Sequence, residues 1–323
     1  MNFLNAFAAE VAKESQADPE LLALYIAGAA YPDLDVVKVQ MQLDDLAFAV
    51  QQAMAEGLTG KAQAEGFLAA LTERLAFEGN RENYYDPRNS FLNDVLARRT
   101  GLPISLSLVC MALGRRMGLN IQGVGYPGHF MARYRDQEGE WLLDLFSGAV
   151  LAPTEVTGHL SRLFQQPITF SHQIGVRPVT PQALAERILN NLWHIYRTQG
   201  DGEKAMRVLD YMAVLAPDNP RLWQEMGVVA YESGHLLDAE RNLRRYLYLT
   251  GHLSRFWGLE PSIVLQDDDG SPTPWQDESA LGPLDDPGRP KGPRPAPPPK
   301  EDDDVWQVVG LLSKINDELL RIN

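Results

Sequence analysis

The sequence predicts an α+β fold: a helical N-terminal segment, a core of one helix on a small antiparallel sheet, and an all-helical repeat region. Three observations predict it. Apolar residues recur at helical spacing before residue 75, a helix precedes three extended segments between residues 101 and 146, and a 34-residue repeat follows residue 181. With 323 residues, 45% of them hydrophobic, the chain is long enough for more than one buried core.

Composition and spacing divide the chain into five segments. Residues 1–75 are predicted to be helical, residues 76–180 to form the core with the sheet, and residues 181–255 to carry the repeats. Residues 256–300 are rich in proline and acidic residues and poor in aliphatic ones, so we expect a disordered linker. Residues 301–323 show the spacing of a C-terminal amphipathic helix.

Charge and composition exclude several classes of partner. The formal net charge is −14, and no basic stripe offsets it, which argues against binding to nucleic acid or an anionic membrane. The single cysteine, Cys110, cannot form an intramolecular disulfide. No signal peptide or membrane span is apparent, and no cofactor motif occurs, so we expect a cytoplasmic protein without a cofactor.

The core is organised by a helix predicted for residues 103–117. Its apolar residues form one stripe at helical period, and Gly118 stands where a glycine cap belongs. The members of this stripe are Leu106, Val109, Cys110, Leu113 and Met117.

Three extended segments follow this helix. Strands are predicted for Ile121–Tyr126 and His129–Arg135, broken at Pro127 and Gly128, and a return strand for Trp141–Phe146. We expect Arg135 to pair with Glu140 across the intervening loop. This register fixes which side chains share a face of the sheet.

A candidate site follows from that register. His129 and Asp144 fall on the same face, one diagonal step apart, whereas the apolar side chains take the other face. If the apolar face packs on the core, we expect His129 and Asp144 to face the start of the 103–117 helix. A helix N-terminus, a histidine and a carboxylate together are the layout of a cysteine-type catalytic triad.

Three stretches of sequence resemble a known family. They are NYYDPRNS at residues 83–90, GLPISLS at 101–107 and PGHF at 127–130. With the order helix, strand, strand, they resemble the transglutaminase-like superfamily, which has a papain-like core. More narrowly, they resemble the bacterial family described as regulators of SirC expression. Members of that family join a transglutaminase-like domain to tetratricopeptide repeats, and the resemblance spans residues 20–250.

The sequence departs from this superfamily at the nucleophile. Active members have a cysteine in the first turn of the helix, where this chain has Pro103, Ile104 and Ser105. Cys110 lies farther along, in the apolar stripe, as a small buried hydrophobe would.

The candidate catalytic residues are therefore Ser105, His129 and Asp144, a remnant of the triad. Two interpretations remain open for them. Ser105 can be a nucleophile or a first-turn residue that satisfies a backbone N–H, and the histidine and aspartate can be catalytic or a structural pair.

Metal chemistry finds no support in the remaining histidines. His159 and His172 lack cysteine or carboxylate partners at metal-ligand spacing, so the sequence predicts no zinc site.

The region after residue 181 contains a repeat whose period follows from the spacing of matching residues. Gly200 and Gly234 are 34 residues apart, as are Ala205 and Ala239, which is the tetratricopeptide period. Two such repeats cannot bury their apolar faces alone and must pack on another part of the chain. Their groove is expected either to bind a protein or peptide partner or to serve only for packing between domains. The C-terminal helix is expected to dock on the repeats in cis, with oligomerisation through this helix as the second arrangement.

The sequence as a whole predicts a cytoplasmic interaction or regulatory scaffold built on a non-catalytic transglutaminase-like domain. The alternative is a cysteine- or serine-dependent amidase or acyl-transferase that uses His129 as the base and Asp144 to orient it.

Overall fold

A computed structural model describes residues 2–170, 177–253 and 301–322. It confirms the α+β class, with helices around a small antiparallel sheet and a helical repeat region after it. The chain forms two compact units, Met1–Pro217 and Asp218–Asn323. The linker predicted for residues 256–300 and the residue His172 lie outside the described ranges.

The first unit begins with four helices, and in the first three of them the side chain of the preceding residue caps the start. They are α1 (Phe3–Val11), α2 (Pro19–Ala27), α3 (Val36–Ala53) and α4 (Gly60–Ala69), and a π-helical turn (Ala70–Arg74) continues α4. The carboxylates of Asp18 and Asp35 accept hydrogen bonds from the first-turn amides of α2 and α3. The amphipathic pattern read from the sequence therefore forms helices with defined starts.

The predicted core helix forms α6 (Pro103–Arg116), and almost every side chain in it is buried. Before it lie strand β1 (Glu78–Gly79), helix α5 (Leu92–Arg98) and strand β2 (Thr100–Gly101), and β1 pairs with β2 in parallel. Gly118 follows α6 with a φ of +72°, as its predicted capping role requires.

The sheet has four antiparallel strands in sequence order. They are β3 (Ile121–Tyr126), β4 (His129–Arg135), β5 (Glu140–Asp144) and β6 (Ala149–Leu151). Arg135 is paired with Glu140, so the predicted register is confirmed. Gly128 in the turn between β3 and β4 has a φ of +68°, which glycine adopts without strain.

Helices cover both faces of this sheet, and this corrects one expectation. Met131 packs with Val156 and Leu160 of helix α7 (Val156–Leu163) on one face. On the other face, Phe130 lies beside Met111 of α6, and both lie within about 3 Å of the point where a side chain on Gly123 would start. Because His129 and Asp144 share the Met131 face, they look toward α7, and the expectation that they face the start of α6 was wrong.

The first repeat consists of α8 (Pro181–Gln199) and α9 (Gly202–Leu215). It leans on the N-terminal helices of the same unit. The ring of Tyr211 packs edge-on against Phe7 at 5.0 Å, and its hydroxyl donates to the carbonyl of Tyr25 at 3.0 Å. These contacts bury the apolar faces that a short repeat array leaves uncovered.

The second unit contains α10 (Pro220–Glu232), α11 (Leu236–Leu249) and α12 (Glu301–Ile322). A side chain on Gly227 would start 2.4 Å from Leu243, so glycine allows α10 and α11 to approach closely. Helix α12 packs in cis on the second repeat, and Tyr231 of α10 donates a hydrogen bond to Glu318 at 3.1 Å. Its buried apolar side chains are Val305, Val308, Leu312 and Ile315.

Candidate functional site

The centre of the candidate site is the carboxylate of Asp144, at the end of β5, which is 1% exposed. Three polar side chains converge on its Oδ2 atom. His159 Nε2 lies 2.8 Å away, Ser147 Oγ donates at 2.7 Å, and His129 Nε2 lies 3.1 Å away at an oblique angle. We call these four residues the Asp144 cluster.

Each member of the cluster is placed by its own element. His129 is the first residue of β4, directly after the turn at Gly128. Ser147 follows β5, and its backbone N–H donates to Asp144 Oδ1 at 3.3 Å, which closes a local turn. His159 lies on the face of α7 that packs on the sheet. The cluster therefore links β4, β5 and α7.

The electrostatics of Asp144 are set by these neighbours. Burial alone would raise the pKa of the Asp144 carboxyl, but the imidazoles of His129 and His159 outweigh it and hold this pKa below its usual range. The hydroxyl of Ser147 acts in the same direction. Asp144 is thus a stable buried anion at neutral pH.

His129 is enclosed by rings and anchored through its backbone. Its imidazole meets Phe146 at 6.1 Å and Phe164 at 6.3 Å, both edge-on. Arg187 of α8 donates from Nη2 to the carbonyl of His129 at 3.1 Å and lies over the ring of Phe130. A helix of the first repeat thereby helps to fix the start of β4.

Ser105 makes its hydrogen bonds with backbone groups outside this cluster. Its hydroxyl donates to the carbonyl of Asn89 at 2.6 Å and accepts a hydrogen bond from the N–H of Leu102 at 3.0 Å. These partners belong to the backbone around the first turn of α6, where the N–H groups have no partners within the helix. The structure therefore brings His129 and Asp144 together and leaves Ser105 as a residue that caps α6.

Cys110 is 0% exposed and lies inside the apolar packing of α6. Burial raises the pKa of its thiol, and the negative charge of Asp144 raises it further. A thiol in this state is protonated at neutral pH and closed to reagents, which is the reverse of an activated nucleophile.

The cluster also differs from a triad in the atoms it uses. In a triad the histidine contacts the carboxylate with one ring nitrogen and the nucleophile with the other. In the cluster, Nε2 of His159 lies near both Asp144 Oδ2 and Ser147 Oγ, the latter at 3.3 Å. The hydroxyl of Ser147 is directed to the carboxylate, so this serine and histidine do not form a nucleophile and base pair.

A cleft of about 660 Å³ opens beside the cluster. Phe77, Asn80, Arg81 and Ser147 are among its lining residues, and its wall is mainly polar. His129, Asp144 and His159 are not among the described residues that line it. A ligand in this cleft would reach Ser147 but not the imidazole rings.

The described ranges contain neither a candidate metal site nor a candidate membrane-spanning helix. Within them, no group of three or more histidine, cysteine, aspartate or glutamate side chains is arranged to hold a metal ion. None of the helices described there combines the length and the hydropathy that a membrane span requires.

Sequence reasoning missed His159 as a member of the cluster. The sequence analysis considered this histidine only as a metal ligand. Spacing along the chain does not reveal whether a single histidine has a hydrogen-bond partner elsewhere in the fold. A useful signal was present, because His159 stands three residues after Val156 and directly before Leu160, on the apolar stripe of a short helix. A histidine on such a stripe needs a buried polar partner, and Asp144 is that partner.

Comparison with known proteins agrees with this architecture. The profile of the transglutaminase-like superfamily matches residues 37–190, and the profile of the tetratricopeptide repeat matches residues 192–255. With the helix and sheet core described above, these matches define a transglutaminase-like protein with tetratricopeptide repeats.

The chain belongs to the UPF0162 family. A UPF0162 protein of Xylella fastidiosa (strain 9a5c) is 31% identical over 232 residues, which are 70% of this chain and 82% of that protein. A UPF0162 protein of Vibrio cholerae is 32% identical over 208 residues, covering 64% of this chain and 77% of the relative.

Two more distant likenesses cover less or align less well. Human F-box only protein 21 is 40% identical over 76 residues, which are 24% of this chain and 12% of that protein. A crystal structure of menin aligns at 9% identity with a TM-score of 0.35. The alignment covers 78% of this chain and 71% of the menin chain.

Proposed function

We propose that this protein is a cytoplasmic interaction or regulatory scaffold whose transglutaminase-like domain is not catalytic. One observation carries the proposal: Ser105 and Cys110, the two nucleophiles considered for the predicted triad, both have surroundings that disfavour attack with His129 as the base. Cys110 is buried and protonated, and the hydroxyl of Ser105 is held by backbone groups. The histidine and aspartate then act as a structural pair that joins strands and a helix.

The repeats support the interaction role. Tetratricopeptide repeats generally mediate contacts between proteins, so we assign a protein or peptide partner to the groove of the repeats. The resemblance of residues 83–90, 101–107 and 127–130 to the SirC-regulator family supports the regulatory part of the proposal. The net charge of −14 disfavours nucleic acid and anionic membranes as the partner.

An amidase or acyl-transferase is the second candidate function. It is favoured by the contact of 3.1 Å between His129 and Asp144 and by the polar cleft next to it. For this chemistry a serine or thiol would have to come within reach of the imidazole when a substrate binds. The candidates for that nucleophile are Ser105, Ser147 and Cys110.

Nucleophile-directed reagents decide between the two functions. The native protein is treated with a fluorophosphonate, which labels activated serines, and separately with iodoacetamide, which labels thiolates, and adducts are read by intact mass and peptide mapping. We expect no serine adduct, and alkylation of Cys110 only after unfolding in urea. His129→Ala removes the base, and His194→Ala, at an exposed histidine, serves as the matched control.

Labelling of a native serine or of Cys110 that slows in His129→Ala but not in His194→Ala would establish the enzyme and end the scaffold proposal. The interaction role is tested separately by capture from a lysate of the source organism. Reversing the exposed charges of α10 with Arg221→Glu and Glu225→Arg should abolish specific capture, whereas Ser105→Ala should retain it. Capture that depends on Ser105 and ignores α10 would contradict the role of the repeats.

A further inference from the structure

Helix α3 carries two apolar stripes, and only one of them is buried. The inner stripe packs into the core and consists of Val39, Leu43, Leu46 and Val50. The outer stripe consists of Val37, Met41 and Phe48, which are 64%, 62% and 64% exposed. Their spacing of four and then seven residues places them on one face of the helix, so they form a patch instead of scattered surface residues.

The shape of this patch suits another helix. From Val37 to Phe48 the outer stripe runs about 16 Å, or three helical turns. It lies along a convex helix surface, which does not enclose a small molecule. An amphipathic helix laid alongside would bury the stripe with its own apolar residues at positions i, i+4, i+7 and i+11.

The charged residues around the outer stripe indicate the charge that a partner should carry. Asp33 and Asp35 precede the helix, and Asp44 and Asp45 flank the stripe, all four with exposed side chains. Asp44 is paired with Arg116, and Lys38 is the only cation in the sequence of α3. With a net charge of −14, a second copy would bring like charge against this face, whereas lysine and arginine would be attracted to it.

We propose that the outer stripe of α3 docks a cationic amphipathic helix of another protein. The apolar residues of this partner cover Val37, Met41 and Phe48, and its basic residues flank the contact and reach Asp45 on one side. This surface shares no residue with the Asp144 cluster or with α10, so it does not depend on the function proposed above.

The test uses the full chain and three fluorescent peptides of about 18 residues, or five helical turns. The first carries leucines in one stripe with flanking lysines, the second replaces lysine by glutamate, and the third has the composition of the first with the leucines spread around the helix. Binding is measured by fluorescence anisotropy at physiological salt. The protein variants are Met41→Ser with Phe48→Ser, Asp45→Asn, and the control Leu237→Ser at an equally exposed leucine of α11.

We expect the first peptide to bind at least about tenfold more tightly than the other two, and the double variant to lose at least about tenfold in affinity. Asp45→Asn should weaken binding less, and Leu237→Ser should leave it unchanged. Equal binding of the first and third peptides, or an unaffected double variant, would overturn the proposal. Sedimentation velocity that shows a dimer broken by Met41→Ser with Phe48→Ser would also overturn it, because the occupant would then be a second copy.

Discussion

The start of α6 and the Asp144 cluster are both buried and polar, but they are held together by different kinds of contact. At the start of α6, the hydroxyl of Ser105 exchanges hydrogen bonds with the backbone of Leu102 and Asn89. In the cluster, a charged carboxylate meets side chains from β4 and α7 and from the turn after β5. The contacts of Ser105 pair backbone groups next to the start of one helix, whereas the contacts of Asp144 connect separate strands and a helix.

This difference gives a structural reason for retaining a buried histidine and carboxylate. A buried carboxylate is costly unless it is paired, and removing either partner leaves the other unpaired in the core. The stability of the fold is therefore sufficient to account for the pairing of His129 with Asp144. The constraint on the capping serine is weaker, because its loss leaves uncharged backbone groups unpaired and not a buried charge.

The largest expected loss of stability comes from removing Asp144, the centre of the cluster. Asp144→Ala leaves the imidazoles of His129 and His159 without their shared acceptor in a buried site, and we expect the free energy of unfolding of the first unit to fall by about 3–5 kcal/mol. Urea unfolding followed by circular dichroism measures this change. The control is Asp33→Ala, at an exposed aspartate, for which we expect a change within about 0.5 kcal/mol. Equal effects of the two substitutions would contradict the structural role of the cluster.

The contribution of Asp144 to stability should depend on pH, unlike that of the uncharged Ser105. The pKa of Asp144 is lowered in the folded protein, so its stabilising contribution is fully present above the unfolded pKa of about 3.9 and is lost as the pH falls through the folded pKa. We therefore expect the stability difference between the wild type and Asp144→Asn to shrink as the pH falls below about 4. Urea titrations of both proteins above and below this pH measure it. A difference that stays constant or grows below about pH 4 would contradict the lowered pKa of Asp144.

Much of the fold was predictable because it depends on local patterns. Alternation of side chains and two turns define the strands, and the pairing of Arg135 with Glu140 is sufficient to bring His129 near Asp144. The boundaries of α6 follow from a stripe of apolar residues between Pro103 and Gly118. Each of these features is set within a few residues of sequence.

The rest depends on long-range packing. A sheet pattern does not say which helix covers which face, and here both faces are covered, so the apolar face of Phe130 does not reveal that His129 looks toward α7. His159 lies 15 residues beyond Asp144 in a short helix, and no spacing rule links the two. Met41 and Phe48 fit the pattern of an ordinary amphipathic helix, and only the packing around α3 decides that their side chains stay exposed.

A smaller effect is expected at the start of α6. Ser105→Ala removes the acceptor for the N–H of Leu102, and we expect it to lower the free energy of unfolding by about 0.5–2 kcal/mol. Ser105→Thr is a matched variant that keeps the hydroxyl and should recover part of this loss if the added methyl group is accommodated. The same urea titrations measure both. A loss for Ser105→Ala as large as that for Asp144→Ala would mean that the local and the bridging contacts are equivalent.

The smallest effect is expected at Ser147, on the open side of the cluster. Its hydroxyl donates to Asp144 at 2.7 Å, but the side chain is only half-buried, and water from the adjacent cleft can replace it. We therefore expect Ser147→Ala to cost about 0.5–1.5 kcal/mol of unfolding free energy. The double variant Ser147→Ala with Asp144→Ala tests the contact directly, because the cost of losing the hydroxyl should nearly vanish once its acceptor is absent. Full additivity of the two changes would show that Ser147 stabilises the turn after β5 without acting through Asp144.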